Sequence, residues 1–227
     1  MIDKGYIKYH CEWIKTDAVS PASVMDLTCY RDALHQLNLI KEDSDGISVG
    51  NISQRTSPTS QFIISGTQTG NLPTVAARDY ALVTAFDPTQ NSVTCQGLSK
   101  ASSESLTHGV IYSSHPAIGA IIHVHHSQLW KGLLKQVPAT RAEVSYGTPE
   151  MAKETQRLFR ESNLAQVKIF AMAGHEDGVV SFGENLQIAY RVLIDWGLLT
   201  GMFTQLDSET ALQLPHQLRS STNTCPE

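Results

Sequence analysis

The stretch Ala117–Trp130, AIGAIIHVHHSQLW, is an apolar run that ends in three histidines within four residues. Such a run is typical of a buried strand. Residues two apart in a strand point to the same face, so His123 and His125 project together while Ile122 and Val124 point to the other side. His126 then points away from His125, and we interpret it as exposed or as lying outside the immediate site. The stretch predicts a strand that presents two imidazoles on one rigid face.

The segments on either side of this strand mix helical and strand-like patterns. The helical ones are SPASVMDLTCYRDALHQLNLI from residue 20, SSESLTHGVIYSS from 102, PEMAKETQRLFRES from 149 and ENLQIAYRVLIDWGLLTGMF from 184. The strand-like ones are GISVGNISQR, QFIISG, QVKIFAMAGH, GVVSFG and the hairpin DYALVTAFDPTQNSVTCQG. This mixture favours an α/β or α+β arrangement with helices against a mostly antiparallel sheet. Ser20 is expected to cap the first helix, and the polar segment from about Thr204 is expected to be a loose tail.

The composition limits the choice of partners and compartment. The chain has 227 residues, 41% of them hydrophobic, and a formal net charge of -5 without a Lys/Arg block. Nucleic acid and membrane surfaces are therefore not expected as partners. The four cysteines are scattered without CxxC pairing, which favours a reducing compartment. No apolar run is long enough for a membrane span, and the start lacks the apolar stretch of a signal peptide, so a soluble cytoplasmic protein is expected.

Two imidazoles on one strand face can bind one divalent metal ion. A catalytic zinc needs a third protein ligand, often a histidine or a carboxylate. Glu104 and His108 lie upstream on one helix face, and His175 ends another apolar segment. A lone HxH pair is a weak motif that also fits two surface histidines, and the strength of this one comes from Glu104 and His175. The remaining histidines are interpreted as structural or solvent-facing: His10, His35, His108, His115 and His216.

Small-residue turns follow two of the strand-like runs, in SVGNIS and ISGTQTG. Their glycines, Gly50, Gly66 and Gly70, allow main-chain N–H groups to approach an anion, although each turn alone is equally an ordinary turn. Side-chain donors accompany them at Asn51, Ser65, Ser102 and Ser103, and the last two stand at a helix start, where a phosphate is favoured. Neither turn matches a P-loop or a dinucleotide fingerprint.

Taken in order, GNIS, ISGTQTGNL, DYALVTAFD, SSE, HPAIGAIIHVHH and MAGHEDG resemble the class II aldolase/adducin family over roughly residues 22–204. The resemblance implies a single three-layer α/β/α domain with a mostly antiparallel central sheet. Residues 1–21 would then be an N-terminal extension and 205–227 a polar C-terminal tail. It also implies a homotetramer with the active site at a subunit interface.

The resemblance implies roles for individual residues. His123, His125 and His175 match the family's three histidine metal ligands, and Glu104 matches a glutamate that is both metal ligand and proton acceptor. Positions that hold the substrate phosphate are matched by Asn51, Ser65, Gly66, Ser102 and Ser103, with Gly50 beside them. The implied cofactor is Zn²⁺ or another divalent ion, Mn²⁺, Fe²⁺ or Co²⁺.

The chain departs from the family pattern in two places. Glu176 and Asp177 stand between the third histidine and its glycine, which we interpret as a two-residue insertion that puts an acidic pair near the metal. Where the aldolases have a catalytic tyrosine, this chain has Glu143, with Tyr146 three residues later. Either residue is a candidate acid for the leaving aldehyde.

These features predict a zinc-dependent class II aldolase, a lyase acting on a small sugar phosphate. Two alternatives remain open. One is a sugar-phosphate 4-epimerase or a dehydratase, because the same metal set and phosphate pocket serve those reactions. The other is an adducin-like binding protein that keeps the fold without catalysis.

Overall fold

The computed structural model describes residues 9–56 and 60–222, with ten strands and seven α-helices in this part of the chain. The strands are β1 His10–Lys15, β2 Lys41–Glu42, β3 Ser48–Val49, β4 Asn51–Arg55, β5 Phe62–Ser65, β6 Tyr80–Asp87, β7 Ser92–Gly97, β8 Ala120–His125, β9 Ile169–Ala171 and β10 Gly178–Gly183. The helices are α1 Pro21–Gln36, α2 Ser105–Ser114, α3 Ser127–Leu133, α4 Pro149–Glu161, α5 Leu164–Val167, α6 Leu186–Leu199 and α7 Gln205–Thr222, with a 3₁₀ turn at Ala77–Asp79.

Eight strands form one sheet in the order β1-β7-β6-β5-β4-β8-β10-β9. Only the edge pair β1 and β7 is parallel among the named strands of this sheet; the other neighbours are antiparallel. Strands β2 and β3 form a separate antiparallel hairpin. The predicted α/β fold with a mostly antiparallel central sheet is confirmed, and so is the hairpin from Asp79 to Gly97, whose turn Asp87 caps through Thr89 N at 2.8 Å.

The sheet separates two apolar cores, because successive strand residues point to opposite faces. On β8, Ile122 and Val124 join the core under α1, α6 and α7, whereas Ile121 joins the core under α2 and α4. The predicted parity of the HxH strand is therefore confirmed. Both cores consist of buried apolar side chains from the strands and helices. The hydrophobic effect on each face of the sheet therefore holds the three layers together.

Some local expectations were wrong. Ser20 precedes α1 but its side chain makes no capping bond, so the helix start depends on Pro21 at its first position. Ser102 and Ser103 lie next to the start of α2, as predicted, and the residue at its N-cap is Glu104. Strand β9 ends at Ala171, and His175 lies in the connection to β10. His126 lies outside the immediate site, as predicted, and its Nδ1 accepts a hydrogen bond from Leu129 N at 3.3 Å, which caps α3.

Both flanking segments pack on the domain. Strand β1 extends the main sheet, and the Tyr9 hydroxyl donates to the carbonyls of Ala101 and Ser102 at 2.9 and 3.1 Å. The expected loose tail is instead the helix α7, because its apolar face, including the fully buried Ala211, packs against α1 and α6. The boundaries at 22 and 204 stay a prediction, and residues 1–8 and 223–227 lie outside the described part.

Within the described residues, none of the helices combines the length and the apolar character that crossing a membrane requires.

Candidate metal centre

Three imidazoles meet at one end of the central strands. The Nε2 atom of His125 lies 3.1 Å from Nε2 of His123 and 3.1 Å from Nε2 of His175. Two of the rings come from β8 and the third from the connection between β9 and β10. The structure thus brings together the three histidines singled out in the sequence, in a group able to hold a metal ion.

The sheet itself orients His123. Strand β8 lies between β4 and β10, and His123 faces Asn51 on one neighbour and Val180 on the other. Its Nδ1 donates to the Val179 carbonyl at 3.1 Å, because a carbonyl oxygen can only accept. The proton therefore sits on Nδ1, and Nε2 presents a lone pair to the other two rings. Burial lowers the pKa of His123 to about 4, which keeps the imidazole neutral at pH 7.

The donor set fits a divalent ion. With metal–nitrogen distances near 2.0–2.1 Å, two ligands of a tetrahedral zinc are about 3.3 Å apart. The observed separations of 3.1 Å are close to that value. A backbone carbonyl bound to the far nitrogen of a ligand is also the usual way in which proteins orient a metal-binding histidine.

Glu104 stands beside the three imidazoles. It precedes α2, is 4% exposed, and its Oε1 lies 3.8 Å from Nε2 of His175. The carboxylate predicted from the Ser-Ser-Glu segment is therefore adjacent to the histidine group, although the three histidines alone form the tightest set of donors. A buried carboxylate near a metal site can serve as a ligand or as a base.

The two candidate acids are placed very differently. The Tyr146 ring stacks on His175, with ring centroids 4.1 Å apart and planes inclined by 29°. Glu143 is exposed and is not among the residues that line the pocket. Within one chain, the structure brings Tyr146 to the histidines and leaves Glu143 outside.

The histidines form the floor of a pocket of about 710 Å³. Six of the seven predicted anion-binding residues line it, and these are Gly50, Asn51, Gly66, Gly70, Ser102 and Ser103. Ser65 does not; its buried hydroxyl accepts from Ile52 N at 3.2 Å. The amide of Gly66 donates to the Asp79 carbonyl at 2.7 Å, so this N–H is already used. The side chain of Asn51 is 4% exposed, and its Oδ1 has no hydrogen-bond partner among the described residues.

A buried arginine supports the loop of residues 66–70, which forms one wall of the pocket. Arg31 on α1 is fully buried and donates to the carbonyls of Thr69 and Leu72 and to Asp32, the last at 3.1 Å. Burial raises the pKa of Asp32, and the guanidinium opposes that shift. Sequence reasoning missed Arg31, because nothing in its helical surroundings indicates carbonyl partners about forty residues away.

A second polar network lies beneath the histidines. His108, one turn after Glu104 on α2, shares a hydrogen bond of 2.7 Å with the Ser53 hydroxyl, which in turn lies 2.8 Å from the Tyr112 hydroxyl. His108 is fully buried, and burial together with nearby His123 lowers its pKa to about 3. The interpretation of His108 as a structural histidine agrees with this position, and the ring is neutral at pH 7.

Solved structures share this fold. L-fuculose 1-phosphate aldolase superposes with a TM-score of 0.60 at 17% identity, covering 86% of this chain and 97% of the other. YgbL from Klebsiella pneumoniae, a candidate aldolase/epimerase/decarboxylase, gives a TM-score of 0.60 at 17% identity over 83% and 91% of the two chains. A sugar-phosphate aldolase from Thermotoga maritima gives 0.56 at 14% identity over 91% and 97%. At these identities the likeness establishes the fold.

A family model covers the candidate site as well. Residues 37–196 match the Class II Aldolase and Adducin N-terminal domain. The matched range takes in every candidate site residue from Gly50 to His175, together with most of the central sheet. Since this range is well over half of the 227 residues, the chain belongs to the class II aldolase and adducin family.

Proposed function

We propose that this protein is a metal-dependent class II aldolase, a lyase that cleaves or forms a carbon–carbon bond in a small sugar phosphate. The observation that carries the proposal is the convergence of three imidazole Nε2 atoms, 3.1 Å apart in two of their pairs, beside a buried carboxylate. A non-catalytic, adducin-like protein would have no need of this group. The pocket above it has room for a small sugar derivative.

His123, His125 and His175 would hold the ion, with Glu104 as a further ligand. When bound, a zinc, manganese, iron or cobalt ion would supply Lewis-acid stabilisation of negative charge on the carbonyl and hydroxyl oxygens of a ketose. The neutral state of His123 suits this role, because a protonated imidazole has no lone pair to offer.

Proton transfer falls to two side chains. In the direction of bond formation, the Glu104 carboxylate would take a proton from the carbon beside the carbonyl of the phosphorylated fragment, and the Tyr146 phenol would give its proton to the aldehyde oxygen as the carbon–carbon bond forms. Cleavage would be the reverse of these two transfers. Glu143, exposed in one chain, would take the role of Tyr146 only in the pocket of a neighbouring subunit.

The phosphate end of the substrate would bind in the part of the pocket that Asn51, Ser102 and Ser103 line. Asn51 and the Ser102 and Ser103 hydroxyls supply donors there, with Gly50 and Gly66 allowing close approach; Ser65 and the Gly66 amide already have internal partners. Holding the remote end would fix the reacting carbons near Glu104 and Tyr146. The proposal includes a cytoplasmic homotetramer with the pocket at a subunit interface.

The test combines metal content with product analysis. Wild-type protein purified without chelator should contain about one divalent ion per chain, and His123→Ala should lose it. The matched control is His216→Ala, which removes an exposed histidine from α7 and should keep the metal. The metal content of each protein is measured by elemental analysis, and circular dichroism verifies that each protein is folded.

A panel of ketose phosphates then separates the possible reactions. Release of an aldehyde together with a phosphorylated fragment supports the aldolase. An epimer without fragments would show a 4-epimerase, and loss of water a dehydratase. A wild-type protein that takes up no divalent metal in any buffer would overturn the proposal.

A further inference from the structure

Two cysteines that are far apart along the chain lie in contact at one edge of the central sheet. Cys11 is on the edge strand β1 and Cys95 on its neighbour β7, and their Sγ atoms are 3.6 Å apart. Neither cysteine takes part in a disulfide. Local patterns give no sign of this pair, because 84 positions separate its members. The fold therefore brings two reduced thiols within reach of one another.

The pairing of the two strands explains why the thiols meet. Strands β1 and β7 are parallel, with Cys11 opposite Val93 and Trp13 opposite Cys95. Residues two apart on a strand share a face, so the two cysteine side chains are diagonal neighbours on the same side of the sheet. That side is the core under α2 and α4, in which Cys95 is fully buried and which Cys11 borders as a partly buried residue. Cys11 is therefore the member of the pair nearer to solvent.

A bond between these two sulfur atoms requires a small movement that the position of β1 allows. The sulfur atoms of a disulfide are about 2.05 Å apart, so the two Sγ atoms would have to approach by roughly 1.5 Å. Among the described strands, β1 is outermost in the sheet and pairs with β7 alone. It can therefore shift toward Cys95 without disturbing a second strand pairing, which a central strand could not do.

The surroundings of Cys11 favour its thiolate form. A hydrogen bond from the Cys95 thiol is the main cause that lowers the pKa of Cys11 to about 6, against the effect of burial. The Tyr9 hydroxyl and the nearby Lys100 and His10 also lower this pKa. The contact with Cys11 and burial both raise the pKa of Cys95. Since the thiolate is the nucleophile in cysteine oxidation, Cys11 is the attacking thiol and Cys95 the protonated partner.

We propose that Cys11 and Cys95 form a modification site at which a hydroperoxide converts the two thiols into an intramolecular disulfide. The Cys11 thiolate attacks one peroxide oxygen, the O–O bond breaks, and the departing hydroxide or alkoxide takes up a proton, which leaves Cys11 as a sulfenic acid. The Cys95 sulfur then attacks the Cys11 sulfur, the S–O bond breaks, and the hydroxyl group leaves as water with the Cys95 proton. The two sulfur atoms lose two electrons in total, and the peroxide is reduced by them.

A reversible modification fits this pair better than a permanent structural bond. In a reducing compartment, which the cysteine pattern favours, protein disulfides are usually transient and sense the redox state. Two thiols that are reduced and already in contact agree with such a role. The inference does not depend on the proposed function, since it involves neither the candidate metal centre nor a sugar phosphate.

The test follows the individual thiols by mass spectrometry. Full-length Cys225→Ala protein, which keeps Cys11, Cys29 and Cys95, is treated with hydrogen peroxide at neutral pH and digested without reductant. Cys11→Ala and Cys95→Ala are then introduced into this background protein. The matched control is Cys29→Ala, which removes a buried cysteine from α1. Circular dichroism verifies that each protein is folded.

We expect the background protein to yield a pair of peptides linked through Cys11 and Cys95, which dithiothreitol should separate. Cys11 should lose its thiol about tenfold faster than Cys29, because a thiol with a lowered pKa is mostly thiolate at neutral pH, whereas burial raises the pKa of Cys29. In Cys95→Ala, Cys11 should stop at a sulfenic acid that dimedone traps. In Cys11→Ala, Cys95 should keep its thiol. Cys29→Ala should form the disulfide as the background protein does.

Three results in the background protein would overturn the inference. They are the persistence of both thiols, equal rates of thiol loss at Cys11 and Cys29, and oxidation of Cys11 that never links it to Cys95. Because these results come from the background protein, they decide the question even if a variant fails to fold. Aldehyde release has no bearing on any of them, so the inference and the proposed function can fail separately.

Discussion

The two walls of the pocket are held in different ways. The histidine wall, formed by His123, His125 and His175, is attached to central strands whose backbone ladder and buried core fix it. The loop wall, formed by residues 66–70, is held by the backbone bonds of Gly66 and Thr67 to other segments and by Arg31, which donates to the Thr69 carbonyl and, just beyond the loop, to that of Leu72. One wall is therefore held mainly by the sheet, and the other is held in part by a buried charge. Changes to the first should alter chemistry with little loss of fold, and changes to the second should alter both.

The largest effect is expected on the histidine wall. His125→Ala should abolish metal binding and aldehyde release. This effect should exceed the ~10–100-fold loss of metal affinity or activity that is typical when a residue hydrogen-bonded to a metal ligand is replaced. The melting temperature of the metal-free protein should change little, because the strand ladder does not depend on this side chain. Elemental analysis and calorimetry of chelator-treated protein would check both, and retention of stoichiometric metal would contradict the assignment.

Arg31→Met should break the loop wall. Removing one partner of a buried ion pair leaves Asp32 uncompensated and typically costs about 3–5 kcal/mol. Inorganic phosphate should then bind more weakly, as measured by phosphorus NMR on whichever fraction remains folded.

The control for Arg31 is Arg55→Met. Arg55 also donates to backbone carbonyls, those of Ile118 and Tyr112, at 2.8 and 2.7 Å, but it does not line the pocket. The Arg55→Met substitution should lower the free energy of unfolding and leave the affinity for inorganic phosphate unchanged. If both variants reduce phosphate binding equally, the loop wall does not depend on Arg31 specifically.

A smaller effect should separate the two candidate acids. Tyr146→Phe should lower kcat by about 100-fold or more, the contribution typical of a general acid, while keeping the ring that stacks on His175. Glu143→Gln should leave kcat within a few-fold of wild type. The reverse result would place Glu143 in a neighbouring subunit's pocket and remove Tyr146 from the mechanism.

The last prediction concerns acid stability beneath the histidine wall. The pKa of His108 is lowered from 6.5 to about 3 in the folded state, so the unfolded chain binds a proton that the folded chain refuses between those values. Stability should therefore fall as the pH falls through this window, by up to about 1.4 kcal/mol per pH unit for this group. In the metal-free protein, His108→Gln should make the free energy of unfolding depend less on pH, as measured by urea titrations from pH 7 to 4. An unchanged slope would contradict the neutral, buried state.

Local patterns predicted the histidine wall far better than the loop wall. The alternation in AIIHVH assigns His123 and His125 to one face, and strand parity is a property of adjacent residues. Arg31 contacts carbonyls about forty positions away, and a helical pattern gives no sign of such partners. The helix α7 was missed because its composition is polar and it contains Pro215, while its buried contacts, such as the Tyr190 hydroxyl to the Ala211 carbonyl at 2.9 Å, are tertiary. Choosing Tyr146 over Glu143 likewise required the ring contact with His175.

The bond from Tyr9 to the carbonyls of Ala101 and Ser102 bears on where this protein can be cut for study. A fragment designed on the family match at residues 37–196 would keep every histidine of the pocket. It would discard Tyr9, which supports the Ser-Ser-Glu segment from outside, and Arg31, which supports the loop wall. Recombinant versions of this chain should start before β1. If a shortened version were inactive, the cause would be the loss of these supporting contacts and not a lack of catalytic residues.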